Sequence, residues 1–331
     1  MTKIKSALVL VSILAAACSD SGSDKKKTGD SGTPSGWQAA VGAHGAFAQT
    51  FDGVHWTVRS LTPRDLYAVT CVGNLDGWAV GAEGFIGRTR DGGESWQSQG
   101  SGTSLALRAV HFAHDDHHAA TTSLVGVAAG DSGTLLLSTN GGDLWKSVDA
   151  GTQADFKGAA SALNADLLVV VGAGGTVVRS LDLGKTWESA TLSGAGDLRG
   201  VAVAPSGNPI LGVDSKGQIW SSNDLGKSFS VEATAPSALN GVALAPDGSL
   251  ALVAGDAGVA MQRDASGKWT NVATGTSARL FAALVTHDGE REYLAGESGT
   301  LLGREKTAET WEKTLTGGGD TFYGLEDLDP H

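Results

Sequence analysis

One compact stretch of the chain carries potential metal ligands: His111-Phe-Ala-His114-Asp115-Asp116-His117-His118. Four imidazoles and two carboxylates within eight residues are donor types suited to Zn²⁺, Ni²⁺ or Cu²⁺. The same residues read as a solvated polar loop that chelates metal adventitiously, so no metal or other cofactor is expected. A second set of chemically able residues is dispersed: Tyr67, Arg108, Lys157, Arg199, Asn240, Phe281 and Tyr323, each followed by Ala or Gly. The cations suit charge-assisted bonds to anions, and the aromatics suit stacking. His44, Glu83, Asp131, Asp256 and Glu297 recur at a related offset and would add a ring of mostly acidic groups. Side chains of this kind could hold a peptide or glycan, or could instead pair with one another across neighbouring repeats. No Gly-x-Ser-x-Gly or Ser-His-Asp arrangement suggests a nucleophile, and acidic pairs arise by chance in a chain this acidic. Enzymatic activity is not expected.

Those dispersed residues need a repeating frame, and the frame is visible. Seven segments end in a polar turn followed by an aromatic, among them Thr89-Arg-Asp-Gly-Gly-Glu-Ser-Trp96 and Ser180-Leu-Asp-Leu-Gly-Lys-Thr-Trp187. Their terminal aromatics, Trp56, Trp96, Trp145, Trp187, Phe229, Trp269 and Trp311, lie 40, 49, 42, 42, 40 and 42 residues apart. A period of about 42 residues built from short β runs is that of a four-stranded propeller blade. Between the second and third strands comes a recurrent Gly-x-x-Gly, as at Gly42 to Gly45 and Gly130 to Gly133. Tight hairpins there favour positive φ, which accounts for much of the 48-glycine content. No helix follows these glycines, so a dinucleotide-binding reading fails.

The first unit, starting at Trp37, has only three strands. The last run, Phe322-Tyr-Gly-Leu-Glu-Asp-Leu328, matches the first strand of the other units, such as Leu198-Arg-Gly-Val-Ala-Val-Ala204. The predicted architecture is therefore all-β: a single seven-bladed propeller over residues 37–331, closed by the C-terminal strand joining blade one. Cys71 falls inside an inner strand, where a thiol behaves as a small apolar residue.

The turn pattern resembles the Asp-box (BNR) repeats of sialidase-type propellers. The line from Gly77 to Trp96 is similar to the photosystem II stability/assembly factor family and its bacterial lipoprotein relatives, and the likeness extends over residues 37–328. It implies a propeller that binds a protein partner through an arginine-rich patch, matched here at Arg108 and Arg199. Structurally, the box Asp would accept turn N–H groups and the aromatic would pack between strands. Sialidases of this type are six-bladed and carry an early Phe-Arg-Ile-Pro signature that is absent here.

The N-terminal residues read as an address. Lys3 and Lys5 precede an apolar run from Ala7 to Leu14, and Ala15-Ala16-Ala17 leads to Cys18, which predicts a signal peptide over 1–17. Leu14-Ala15-Ala16-Ala17-Cys18 resembles a lipobox and implies a lipidated Cys18, with Ser19 implying the outer membrane. Residues 18–36 are rich in Ser, Gly, Asp, Lys and Thr and would form a flexible tether. The net charge of −12 excludes a basic footprint for nucleic acid. The expected function is a non-catalytic envelope lipoprotein, scaffold or assembly factor, binding an envelope protein complex or peptide at the channel mouth. A polysaccharide-binding or sialidase-like protein is the alternative.

Overall fold

Each repeat is divided into runs of two to seven extended residues by Gly, Asp and Ser turns. These runs are too short to stand alone and bury their apolar faces only against neighbouring repeats. The computed structural model describes residues 37–73, 75–113, 124–162, 166–315 and 319–328. They form seven four-stranded antiparallel sheets, the blades of one propeller. In chain order the inner strands of blades two to seven are Leu66–Val72, Leu107–Ala113, Phe156–Ala162, Leu198–Val203, Leu239–Leu244 and Leu280–Val285.

Blade one takes its inner strand from the far end of the chain. Phe322–Leu328 pairs antiparallel with Trp37–Gly42, in a register running from Trp37↔Leu328 to Gly42↔Phe322. The closure expected from the sequence is the one observed. Phe322 and Leu325 are buried there in a cluster shared with Tyr293 and Ala295 of blade seven.

The core lies in the seams between blades. Between blades two and three, Trp78 stacks on Phe112 with ring centroids 3.9 Å apart, and Trp145 meets Phe112 edge-on at 5.6 Å. Fully buried side chains of this size each stabilise the fold by roughly 1.5–3 kcal/mol. Buried Arg88 adds a polar clamp to this seam, donating to Asp76 of its own blade at 2.8 Å and to Asp143 of the next at 2.5 Å.

Asp-box turns behave as the sequence implied. In blade two, Asp91 Oδ1 accepts from the Ser95 backbone N–H at 2.9 Å, and Thr89 Oγ1 accepts from that of Gly93 at 2.9 Å. Trp96 donates to the Gly93 carbonyl at 3.2 Å and packs edge-on against Phe47 of blade one at 5.4 Å. The aromatic therefore staples the turn to its own blade and to the preceding one.

The Gly-x-x-Gly motif has two physical causes rather than one. Gly133 has φ +71°, as positive-φ use requires. Gly130 instead has an extended φ of −165°. A Cβ there would stand 1.9 Å from the Ala106 carbonyl oxygen, so close backbone approach excludes a side chain. Blade five departs from the pattern, with Asp214 in place of the first glycine. Its buried carboxylate accepts from the backbone N–H groups of Gly196, Lys216 and Gln218 and from Trp220 Nε1, at 2.9–3.1 Å.

Candidate functional site

The dispersed residues picked out by type do converge, and one backbone device delivers all of them. In every inner strand the pairing register slips by one residue near its start: between Leu66 and Ala68, Leu107 and Ala109, Phe156 and Gly158, Leu198 and Gly200, Leu239 and Gly241, and Leu280 and Ala282, with the matching slip between Val41 and Gly42, opposite Gly324 and Phe322. The skipped residues are Tyr67, Arg108, Lys157, Arg199, Asn240, Phe281 and Tyr323. A β-bulge re-aims a side chain and opens the local ladder. Repeated seven times around a ring, it sets these half-buried residues about one end of the central channel. Tyr67, Arg108, Lys157, Arg199, Phe281 and Tyr323 line a cavity of about 330 Å³ within it.

The glycines that follow some of the bulges also serve the packing of the ring. A Cβ on Gly158 would lie 3.2 Å from the Val201 nitrogen, and one on Gly241 would lie 2.8 Å from the Phe281 carbonyl. These positions let adjacent inner strands close on one another, which tightens the ring.

Chemically the mouth has two arcs. Blades seven, one and two supply aromatics: Phe281 meets Tyr323 at 5.1 Å, and Tyr323 meets Tyr67 at 5.7 Å. Blades three, four and five supply Arg108, Lys157 and Arg199. Arg108 joins the arcs, its guanidinium 4.8 Å from the Tyr67 ring centroid.

The cations differ in how fully they are used. Arg108 holds Asp131 through both carboxylate oxygens, at 2.5 and 3.0 Å. This bond raises the arginine's affinity for its proton and holds the Asp131 carboxyl below its ordinary range. Lys157 lies 3.8 Å from Asp131, and burial beside Arg108 lowers its pKa. Arg199 donates one N–H, from Nη1 to Asn240 Oδ1 at 2.7 Å, and makes no ion pair among the described residues. Asn240 in turn donates to Asp256 at 2.9 Å, and Asp256 pairs with Arg279 at 2.9 Å. Glu297 stands 3.9 Å from Arg279.

Asp131, Asp256 and Glu297 thus back the rim. Glu83 accepts from Arg64 at 2.7 Å, and exposed His44 meets Asp320 at 3.2 Å; neither lines the channel. His111 occupies the inner strand of blade three and lines the channel below the mouth. His114, His117 and His118 lie outside the described residues, as do Cys18 and the whole of 1–36. Among the described residues no group of three His, Cys, Asp or Glu side chains could hold a metal ion. Cys71 is a free thiol, and burial pushes its pKa well up.

Residues 62–321 match the family described as photosynthesis system II assembly factor YCF48. The chain belongs to the YCF48 family. A solved structure titled "YCF48 bound to D1 peptide" matches with a TM-score of 0.60 at 18% identity, over 79% of this chain and 92% of that one. No curated protein matches. The seven-bladed fold is therefore shared with YCF48.

Three features at the site were missed by sequence reasoning. Arg279 sits two residues before Phe281 and so falls off the recurring column. Asp65, Asp155 and Asp197, each just before an inner strand, accept at 2.8 Å from the backbone N–H groups of His44, Ser132 and Gly174 in the preceding blade. An Asp immediately before the apolar run was the available signal. The third, Glu326, lies deeper in the channel.

Proposed function

We propose that this protein is a non-catalytic assembly or stability factor that docks a polypeptide partner on the channel mouth. The observation that carries this reading is the seven-fold bulge. It presents an aromatic arc facing a cationic arc, with Arg199 and Lys157 incompletely paired. Stacking and charge-assisted donors together suit an extended peptide bearing an acidic group. Membership of the YCF48 family supports a protein partner, since a related propeller has been solved with a bound D1 peptide.

We further propose that residues 1–17 are a signal peptide and that Cys18 is lipidated. Residues 18–36 then tether the propeller to the cell envelope at the outer membrane. An acyl chain would fix the protein at the membrane and leave the mouth free to sample partners.

The test is capture from detergent-solubilised envelope by the wild-type protein and by an Arg199→Ala/Lys157→Ala variant of equal thermal stability. Recovery of a defined protein complex by the wild type alone supports docking at the mouth. Equal recovery by both overturns it, as does retention on polysaccharide with no protein captured.

A further inference from the structure

Glu326 is the fifth residue of the terminal strand Phe322–Leu328 and is among the residues that line the cavity below the mouth, where its charge also acts on the buried Cys71 thiol. It has no hydrogen-bonding or ion-pairing partner among the described residues. It is half-buried. Burial pushes its carboxyl well above the usual range, and the negative charge of Asp327 adds to this. Asp327 is itself engaged, accepting from Gln38 Nε2 at 2.8 Å and from the His287 backbone N–H at 2.6 Å.

The same cavity therefore has unlike ends. Arg199 and Lys157 stand at the bulge level, the second residue of their strands. Glu326 stands at the fifth, roughly 10 Å further along at about 3.3 Å per residue. Between these levels the lining is largely apolar and includes Val69, Val110, Val201, Val242 and Leu325, while His111, the fifth residue of its own strand, lines the cavity at the level of Glu326. A cationic rim, a largely apolar shaft and a floor that carries the Glu326 carboxyl as well as the His111 imidazole form a template for a ligand with an anion at one end and a cation on an alkyl stem at the other.

We propose that the channel binds an α-carboxylate bearing a basic side chain, such as a C-terminal lysine or arginine. Arg199 and Lys157 would hold the carboxylate at the rim, and the basic group would extend down the shaft to Glu326. The four-methylene stem of lysine, together with the reach of the Arg199 and Glu326 side chains, covers the span along the largely apolar lining. Free lysine or arginine carries the same chemistry as a chain end, but a chain end also has a preceding backbone to lie against the aromatic arc. This inference rests on the mouth being the docking site.

Isothermal titration of the full-length protein distinguishes these cases. The probes are an acetylated tetrapeptide ending in lysine, its C-terminal amide, its norleucine-ended analogue, and free lysine. The lysine acid is expected to bind at least tenfold more tightly than either the amide or the norleucine peptide. Glu326→Gln should abolish the lysine-over-norleucine preference and keep the acid-over-amide preference, while Arg199→Ala should do the reverse. Binding of free lysine as tight as the peptide would assign the site to the amino acid, and weaker binding of it to a chain end. Equal binding of the lysine and norleucine peptides to the wild type would overturn the proposal, as would no binding of any probe. If Arg199→Ala still abolishes capture of an envelope complex in that event, docking at the mouth stands and only the shaft assignment falls.

Discussion

Arg199 and Asn240 hold hands across the seam between blades five and six, Nη1 to Oδ1 at 2.7 Å, while Arg108 and Asp131 are joined within blade three by two bonds. The two arginines occupy equivalent bulges, yet one is a structural element and the other keeps most of its donors in reserve. Their substitutions should separate accordingly. Arg108→Ala strips Asp131 of its main partner and removes two charged hydrogen bonds, which are worth roughly 1.5–3 kcal/mol each before solvent screening. A clear fall in melting temperature is expected. Arg199→Ala should leave the melting temperature within about one or two degrees and abolish partner capture. Thermal unfolding and envelope capture, measured on both variants, check the pair.

Ring closure gives a second expectation. Removing residues 319–331 deletes the inner strand of blade one and bares the edge of Trp37–Gly42 and the buried face around Tyr293. The truncated protein should fail to fold or should aggregate, as read by size-exclusion chromatography and circular dichroism. A monodisperse truncation with unchanged melting would show that the terminal strand is dispensable.

Glycine substitutions within one motif type should differ in sign of tolerance. Gly130→Ala places a Cβ 1.9 Å from a carbonyl oxygen and should cost several kcal/mol, about the upper range for single changes. Gly174 has φ +65° with nothing within 4 Å of a built Cβ, and its counterparts His44, Glu83, Ser132 and Ala257 carry side chains in that conformation. Gly174→Asn should therefore leave stability nearly unchanged. Denaturant midpoints of the two variants provide the comparison.

Acid should act on the propeller with two opposite signs. Turn hydrogen bonds, those of Ser95 foremost, lower Asp91 to about 2, and equivalent bonds from Thr186 and Ser228 lower Asp182 and Asp224 to about 2. Their contribution is complete above the unfolded pKa near 4 and is lost as pH falls through about 2. Glu326 is raised in the folded state, so its penalty is absent below its unfolded pKa and grows as pH rises from there. Glu326→Gln should match the wild-type melting temperature at pH 4 and exceed it at pH 7. A variant less stable than wild type at pH 7 would contradict this.

For the address, Cys18→Ser should release the protein from the membrane fraction into a soluble one. Fractionation with and without detergent reads the outcome, and a wild-type protein already soluble would contradict lipidation.

The sequence announced the ring through Trp and Gly spacing because each blade needs the same aromatic staple and the same backbone approach. Closure was legible because Phe322–Leu328 repeats the pattern of Leu198–Val203. The bulges were not, since an extra residue in one strand exists only relative to its partner's register. Arg279 escaped for a related reason: it reaches the rim from a loop, two residues off the column. Glu326 looked like one more acid in a chain with 36 acidic residues, because its place in the cavity lining depends on the ring that closes around it.

Trp37 and Leu328 face each other at the open end of an antiparallel pair. A pull applied to those two positions would therefore unzip the ladder one rung at a time instead of shearing all its bonds at once. The closure that removes the sheet edge is also the seam at which the ring yields to tension between its ends, and blade one is where mechanical opening begins.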